Sequence, residues 1–62
     1  DFGIVLSGTV SSLSAPQAGS TELFIIHEGT KFKILDSDGN WLKIELVDGK
    51  QGWVPSADVA KI

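Results

Sequence analysis

The chain has 62 residues, of which 42% are apolar and 21% charged, and it contains no cysteine. A chain this short buries only about 60% of the surface that its unfolded form exposes, so we expect one small domain with a minimal core. Eight acidic against five basic residues give a net charge of −3. A negatively charged domain repels the phosphate groups of nucleic acids, so we expect no nucleic-acid partner. No apolar run approaches the roughly 20 residues that span a bilayer, so we expect a soluble module without membrane insertion.

Glycine and proline interrupt the chain too often for helices, because no stretch free of both exceeds nine residues and helices average about 11 to 12. Gly29, Gly39 and Gly49 recur every ten residues. Turns in small all-β folds have a similar spacing of roughly 8 to 12 residues. The sequence therefore predicts an all-β fold. Because the chain begins at Asp1 and shows no leader, we also expect a piece of a longer protein, monomeric in isolation.

The first predicted element is an apolar segment over residues 4–10. A Ser-rich stretch over residues 11–20 follows, and its Pro16 and Gly19 favour an irregular loop. Residues 23–26 form a continuous apolar run that is too short for a helix, so they are predicted to be a strand.

Two further strands alternate apolar and polar residues. Residues 31–34 alternate lysines with apolar side chains, and residues 40–46 alternate equally clearly, which places Trp41 on the solvent face. The residues predicted to face the core are Phe32, Ile34, Leu42, Ile44 and Leu46.

The predicted turns are polar. Residues 36–39 form a longer turn, and Asp48-Gly49 is typical of a two-residue hairpin in which both positions have positive φ. Five or six short antiparallel strands result. We expect them to form a small, strongly bent barrel, since closure removes exposed sheet edges.

Three segments in this order resemble the bacterial SH3-type domain: residues 28–35, residues 38–44 with their Gly-x-Trp-x-Lys pattern, and residues 49–54 with Gly-Trp-Val. Residues 13–16 are similar to the family's Val-Arg-x-x-Pro loop, with Ser14 in place of the arginine. The resemblance covers residues 9–62, which we expect to be an SH3-like barrel domain. Residues 1–8 are expected to be an N-terminal lead-in or first strand.

The resemblance implies a non-catalytic binding or targeting module that recognises a cell-wall peptide or a protein partner. It also implies a location in the cell envelope or periplasm. The sequence is similar, more closely, to SH3-like modules at the C-terminus of tetratricopeptide-repeat aerotolerance-type proteins of Bacteroidetes.

Three residues match ligand-binding positions of eukaryotic SH3 domains: Trp41, Trp53 and Pro55. The match ends at Ala57-Asp58, where eukaryotic members carry Asn-Tyr. The early loop also lacks the eukaryotic tyrosines. The resemblance then implies a smaller platform of two indoles and a proline, suited to stacking on a sugar, a peptide bond or an apolar anchor.

Other interpretations of these residues stay open. Trp41 could cap the barrel end, Trp53 could point inward, and Pro55 could simply end a strand. The whole chain could also be a structural domain that packs against the parent protein's other domains. In that case both tryptophans would be buried in the full-length protein.

No catalytic residue, metal site or cofactor is expected. No serine lies in a Gly-x-Ser-x-Gly elbow. Asp36 and Asp38 flank a polar turn, where solvated charge is the ordinary state, and His27 has no second ligand at metal spacing.

Overall fold

A computed structural model describes residues 1–62 as seven strands and one 3₁₀-helix. In chain order the elements are β1 (Phe2–Val5), β2 (Thr9–Leu13), β3 (Glu22–His27), β4 (Lys31–Asp38), β5 (Trp41–Glu45), β6 (Gln51–Pro55), the 3₁₀-helix (Ser56–Asp58) and β7 (Val59–Lys61). Every strand pair is antiparallel, and the order across the single sheet is β3-β2-β6-β5-β4-β1-β7. The predicted all-β fold class is confirmed.

The strand count is seven, so the expected five or six is wrong. The segment predicted over residues 4–10 covers the end of β1 and the start of β2, two strands separated by a bend at Ser7 and Gly8. β1 pairs with β4 and β7, whereas β2 pairs with β3 and β6. β2 also continues through the start of the Ser-rich stretch as far as Leu13, so the irregular loop is limited to residues 14–21.

The sheet is open, which corrects the expectation of a closed barrel. β3 and β7 lie at its two ends and do not pair with each other. The sheet is still strongly bent. The domain measures 26 × 21 × 20 Å, and a flat sheet of seven strands would not have three such similar dimensions. The edge at β7 needs no closure for protection, because β7 has only three residues and very short edge strands offer little backbone for pairing.

The core lies on the concave side of the bent sheet and contains eight buried apolar side chains: Val5, Val10, Ile26, Phe32, Leu42, Ile44, Val54 and Val59. The predicted core positions on β4 and β5 are confirmed for Phe32, Leu42 and Ile44. Ile34 and Leu46 are only partly buried and pack against this cluster.

Both central hairpins turn differently from expectation. β4 continues to Asp38, so the predicted longer turn over residues 36–39 is a two-residue turn at 39–40. The β5–β6 connection has three residues between Leu46 and Lys50, whose backbone N and O atoms are 2.8 Å apart. Of the two predicted turn residues only Gly49 has positive φ, at 94°. This geometry matches a three-residue loop that ends in a left-handed glycine.

Candidate functional site

The structure places the three predicted site residues on the surface opposite the core. On β5, Trp41 precedes the buried Leu42 and therefore points away from the core. On β6, Gly52 and Val54 are buried, so Trp53 between them points outward as well. Trp41, Trp53 and Pro55 are all half-buried. We call these three residues the tryptophan face.

The register of β5 and β6 brings the tryptophan face together. Trp41 lies directly opposite Pro55, and Lys43 lies directly opposite Trp53. The two tryptophans are thus diagonal neighbours, a relationship that separates residues by about 7–8 Å and lets aromatic side chains meet. On its far side Trp53 pairs with Leu13 of β2, which adds an apolar neighbour.

The backbone beside this face is held in place by the 3₁₀-helix. The Ser56 N–H donates to the Asn40 carbonyl oxygen at 2.8 Å, so the residue after Pro55 is tied to the residue before Trp41. Both ends of the Trp41–Pro55 pair are therefore fixed by the fold, and the face is preorganised.

The side of the face formed by β4 is acidic. Asp38 lies opposite Trp41, and Asp36 lies opposite Lys43. Both aspartates are exposed. Two carboxylates against one ammonium leave the immediate surroundings of Trp41 with an excess of one negative charge.

Asp58, where eukaryotic members carry tyrosine, has a structural contact. Its Oδ1 atom accepts a hydrogen bond from the Ser7 hydroxyl at 3.1 Å, and its backbone oxygen accepts one from the Leu6 N–H at 3.0 Å. Asp58 thereby joins the 3₁₀-helix to the bend between β1 and β2.

No group of three or more His, Asp and Glu side chains lies close enough to hold a metal ion. His27 is exposed on the edge strand β3. The structure contains no helix with the length and apolar character needed to cross a membrane.

One hollow, which the sequence did not predict, lies at the other end of β4 and β5. It measures about 470 Å³ and is lined mainly by Phe2, Lys31, Phe32, Lys33, Leu46 and Val47. We call it the lysine hollow. Its walls come from β1, β4 and the β5–β6 loop, so only the tertiary fold brings them together. The alternation of lysines with apolar residues in 31–34 is the one local pattern that could have drawn attention to it.

The strongly bent antiparallel sheet, the 3₁₀-helix before the last strand and the outward-facing tryptophans define an SH3-like module. Residues 13–60 match the family model of the bacterial SH3 domain. The chain belongs to this family. SH3-type domains act as peptide- and protein-binding modules and are generally non-catalytic, so binding is the class of function that this membership establishes.

Solved structures support the same fold. The chain is similar to the C-terminal SH3 domain of myosin IB from Entamoeba histolytica, with 33% sequence identity and a TM-score of 0.60. The similarity covers 87% of this chain and 90% of that one. A second structure of that domain, bound to an EhFP10(GEF) peptide, matches with the same values. No curated protein sequence matches the chain significantly.

Proposed function

We propose that the chain is a peptide-docking module that uses the tryptophan face as its ligand surface. The observation that carries this proposal is the β5–β6 register, which sets Trp41 opposite Pro55 and Trp53 diagonal to it, all on the side away from the core. Half-buried indoles of this kind offer a large apolar area that is already ordered before a ligand arrives.

The proposed ligand is a neutral or basic peptide of the bacterial cell wall, or a protein partner that presents such a segment. Asp36 and Asp38 beside the face repel acidic ligands and attract basic ones. The peptide bound to the myosin IB domain shows that an SH3 relative of similar sequence takes a peptide ligand, which supports this class of partner.

We expect the intrinsic affinity to be low. The face has no cavity of its own, because the single hollow lies at the other end of the sheet. Stacking one anchor on it removes about 100 Å² of apolar surface, worth roughly 2.5 kcal/mol before the cost of association. Tethering within a longer protein would raise the effective concentration enough to make such a site useful.

The proposal extends to location and to the parent protein. Bacterial SH3 domains often occur in extracellular or envelope proteins, and we propose the cell envelope or periplasm for this one. We further propose a tetratricopeptide-repeat protein as the parent, on the similarity of the sequence alone. Fractionation of cells that express the tagged full-length protein tests the location.

The binding proposal is tested by titrating the isotope-labelled domain with short peptidoglycan stem peptides whose carboxyl groups are amidated, so that they carry no net negative charge, and following amide chemical shifts. We expect shifts centred on Trp41, Trp53 and Pro55, which Trp41→Ala abolishes. Val47→Ala is the matched control, since it removes an apolar side chain that is fully exposed in the lysine hollow. Shifts that survive Trp41→Ala, or that appear only when the parent protein's other domains are added, would contradict the proposal.

A further inference from the structure

Two of the apolar side chains that line the lysine hollow are exposed to solvent and contribute little to the core. Val47 is fully exposed, at 103% of its reference area, and Phe2 is 57% exposed. Val47 occupies the β5–β6 loop, at a position where polar turn residues are the usual choice. Val47 buries nothing in the folded domain, and together with Phe2 it leaves an exposed apolar patch beside the hollow, the kind of surface that marks interaction sites.

The rim of the hollow has the opposite charge from the molecule as a whole. Lys31 and Lys33 are exposed and lie on the same face of β4. Neither takes part in an ion pair, because the one ion pair in the molecule joins Lys50 and Asp48. Glu45 is the only acidic residue that lines the hollow, and its Oε2 atom accepts a hydrogen bond from Gln51 at 3.3 Å. The rim therefore has an excess of one positive charge in a chain whose net charge is −3.

We propose that the lysine hollow is a second docking site, for an acidic peptide segment that presents one apolar anchor side chain between carboxylates. The anchor would pack against Phe2, Leu46 and Val47, and the carboxylates would face Lys31 and Lys33. Charge complementarity selects this occupant, since the rim favours carboxylates while its floor is apolar. The volume of about 470 Å³ lies within the roughly 300–1,000 Å³ of ordinary ligand pockets.

This site is separate from the tryptophan face. Trp41 and Glu45 mark the two ends of β5, and four residues of strand span about 13 Å. The charges differ too, because aspartates border the tryptophan face and lysines border the hollow. The proposal therefore does not depend on the function proposed for Trp41 and Trp53.

The test uses the labelled 62-residue chain and a capped synthetic peptide with a central phenylalanine flanked on each side by two aspartates. We expect amide shifts centred on residues 31–33 and 46–49. The double variant Lys31→Glu/Lys33→Glu should weaken binding at least about tenfold, because it reverses both rim charges. Val47→Ser should weaken it about fivefold, whereas Leu23→Ser, which changes an exposed apolar residue of β3 outside the hollow, should stay within about twofold of the unsubstituted chain.

Three results would overturn the proposal. The first is equal binding by a peptide whose aspartates are replaced by asparagines, since the charges would then be irrelevant. The second is an unchanged affinity in both the double lysine variant and Val47→Ser, each shown to be folded by its thermal melt. The third is a set of shifts at residues 31–33 that grows with protein concentration without peptide, because the occupant would then be a second copy of the chain.

Discussion

Gly52 on β6 and Ser12 on β2 approach each other so closely that a β-carbon on Gly52 would overlap the Ser12 hydroxyl and lie only 3.2 Å from the Ser12 Cβ. Ser12 is completely buried, and its hydroxyl has no hydrogen-bond partner in the protein. This contact lets β2 pack against β6, where Leu13 pairs with Trp53. The small size of both residues thus helps to set the position of the tryptophan face.

Gly52→Ala is expected to lower the free energy of unfolding by about 1–3 kcal/mol, because the added methyl group overpacks the β2–β6 contact. Ser12→Ala removes a buried hydroxyl that makes no hydrogen bond, so it should be neutral or stabilise by up to about 1 kcal/mol. When Ser12→Ala is already present, Gly52→Ala should lower the free energy of unfolding by less than it does in the unsubstituted chain. Urea unfolding of the four proteins measures this cycle, and strictly additive effects would show that the hydroxyl is not the obstacle.

Stability and binding should separate on β5. Ile44 is fully buried, so Ile44→Ala should cost about 2–5 kcal/mol, enough to unfold a domain of this size. Trp41 is only half-buried on the opposite face, so Trp41→Ala should cost much less while abolishing binding at the tryptophan face. Thermal melts followed by circular dichroism compare the two variants. A Trp41→Ala protein that unfolds while Ile44→Ala stays folded would contradict this assignment of faces.

Gly49→Val should lower the free energy of unfolding by roughly 1–2 kcal/mol. Gly49 has a φ of 94°, and a side chain there meets the steric cost of the left-handed region. Gly8→Val is the matched control, because a β-carbon at Gly8 has open space around it and the residue does not have positive φ. Equal melting temperatures for the two valine variants would show that the β5–β6 loop tolerates a side chain at its last position.

Deletion of residues 1–8 tests whether the domain can be defined as residues 9–62 alone. β1 lies between β4 and β7 in the sheet, and Val5 is buried in the core. Without this strand β7 loses its only partner. We therefore expect the truncated chain to be largely unfolded. Its amide chemical shifts should then show little dispersion. A well-dispersed spectrum would show that residues 1–8 are a dispensable lead-in.

The tryptophan face is expected to bind proline-rich peptides poorly. A polyproline helix needs several parallel aromatic ridges between which its rings can fit, whereas this chain has two tryptophans and no tyrosine. Amide chemical-shift titration with a Pro-x-x-Pro peptide should give weak, unsaturated shifts. A peptide of the same length with lysines at both ends should bind more tightly, and Asp36→Asn/Asp38→Asn should remove that advantage. Tight binding of the proline-rich peptide would refute this expectation.

Sequence patterns predicted those features of the fold that depend on the residues of a single strand. The alternation over residues 40–46 correctly predicted buried Leu42 and Ile44 and an outward Trp41, because period two fixes the face of every residue once one face is apolar. The orientation of Trp53 could not be predicted in this way, since it lies between Gly52 and Val54. Burial of a glycine depends on which side chain approaches it, and here Ser12 does so from another strand.

The remaining features depend on contacts between distant parts of the chain. The extension of β2 through Ser12 was missed because serines are typical of loops, and only pairing with β3 makes them a strand. The lysine hollow was missed because Phe2 and Val47 come to line the same hollow only after β1 enters the sheet beside β4. The alternation over residues 31–34 indicates only one wall of the hollow, and no pattern within a single element indicates the extension of β2.

The charges of β4 are ordered along its length, with Lys31 and Lys33 near its beginning and Asp36 and Asp38 at its end. On β5, Glu45 lies opposite Lys33 and Lys43 lies opposite Asp36, so the uncompensated charges are those of Lys31 and Asp38. These two residues are seven positions apart, at most about 23 Å along the strand, and their opposite charges give this pair of strands a dipole along β4. An approaching partner with charge at one end experiences a torque before contact and rotates toward one orientation. At physiological salt the Debye length is about 8 Å, so this orientation acts only in the last stage of the encounter. The direction in which a bound peptide runs across the domain is thereby selected during diffusion. Because salt screens this attraction, added salt should slow association more than it speeds dissociation.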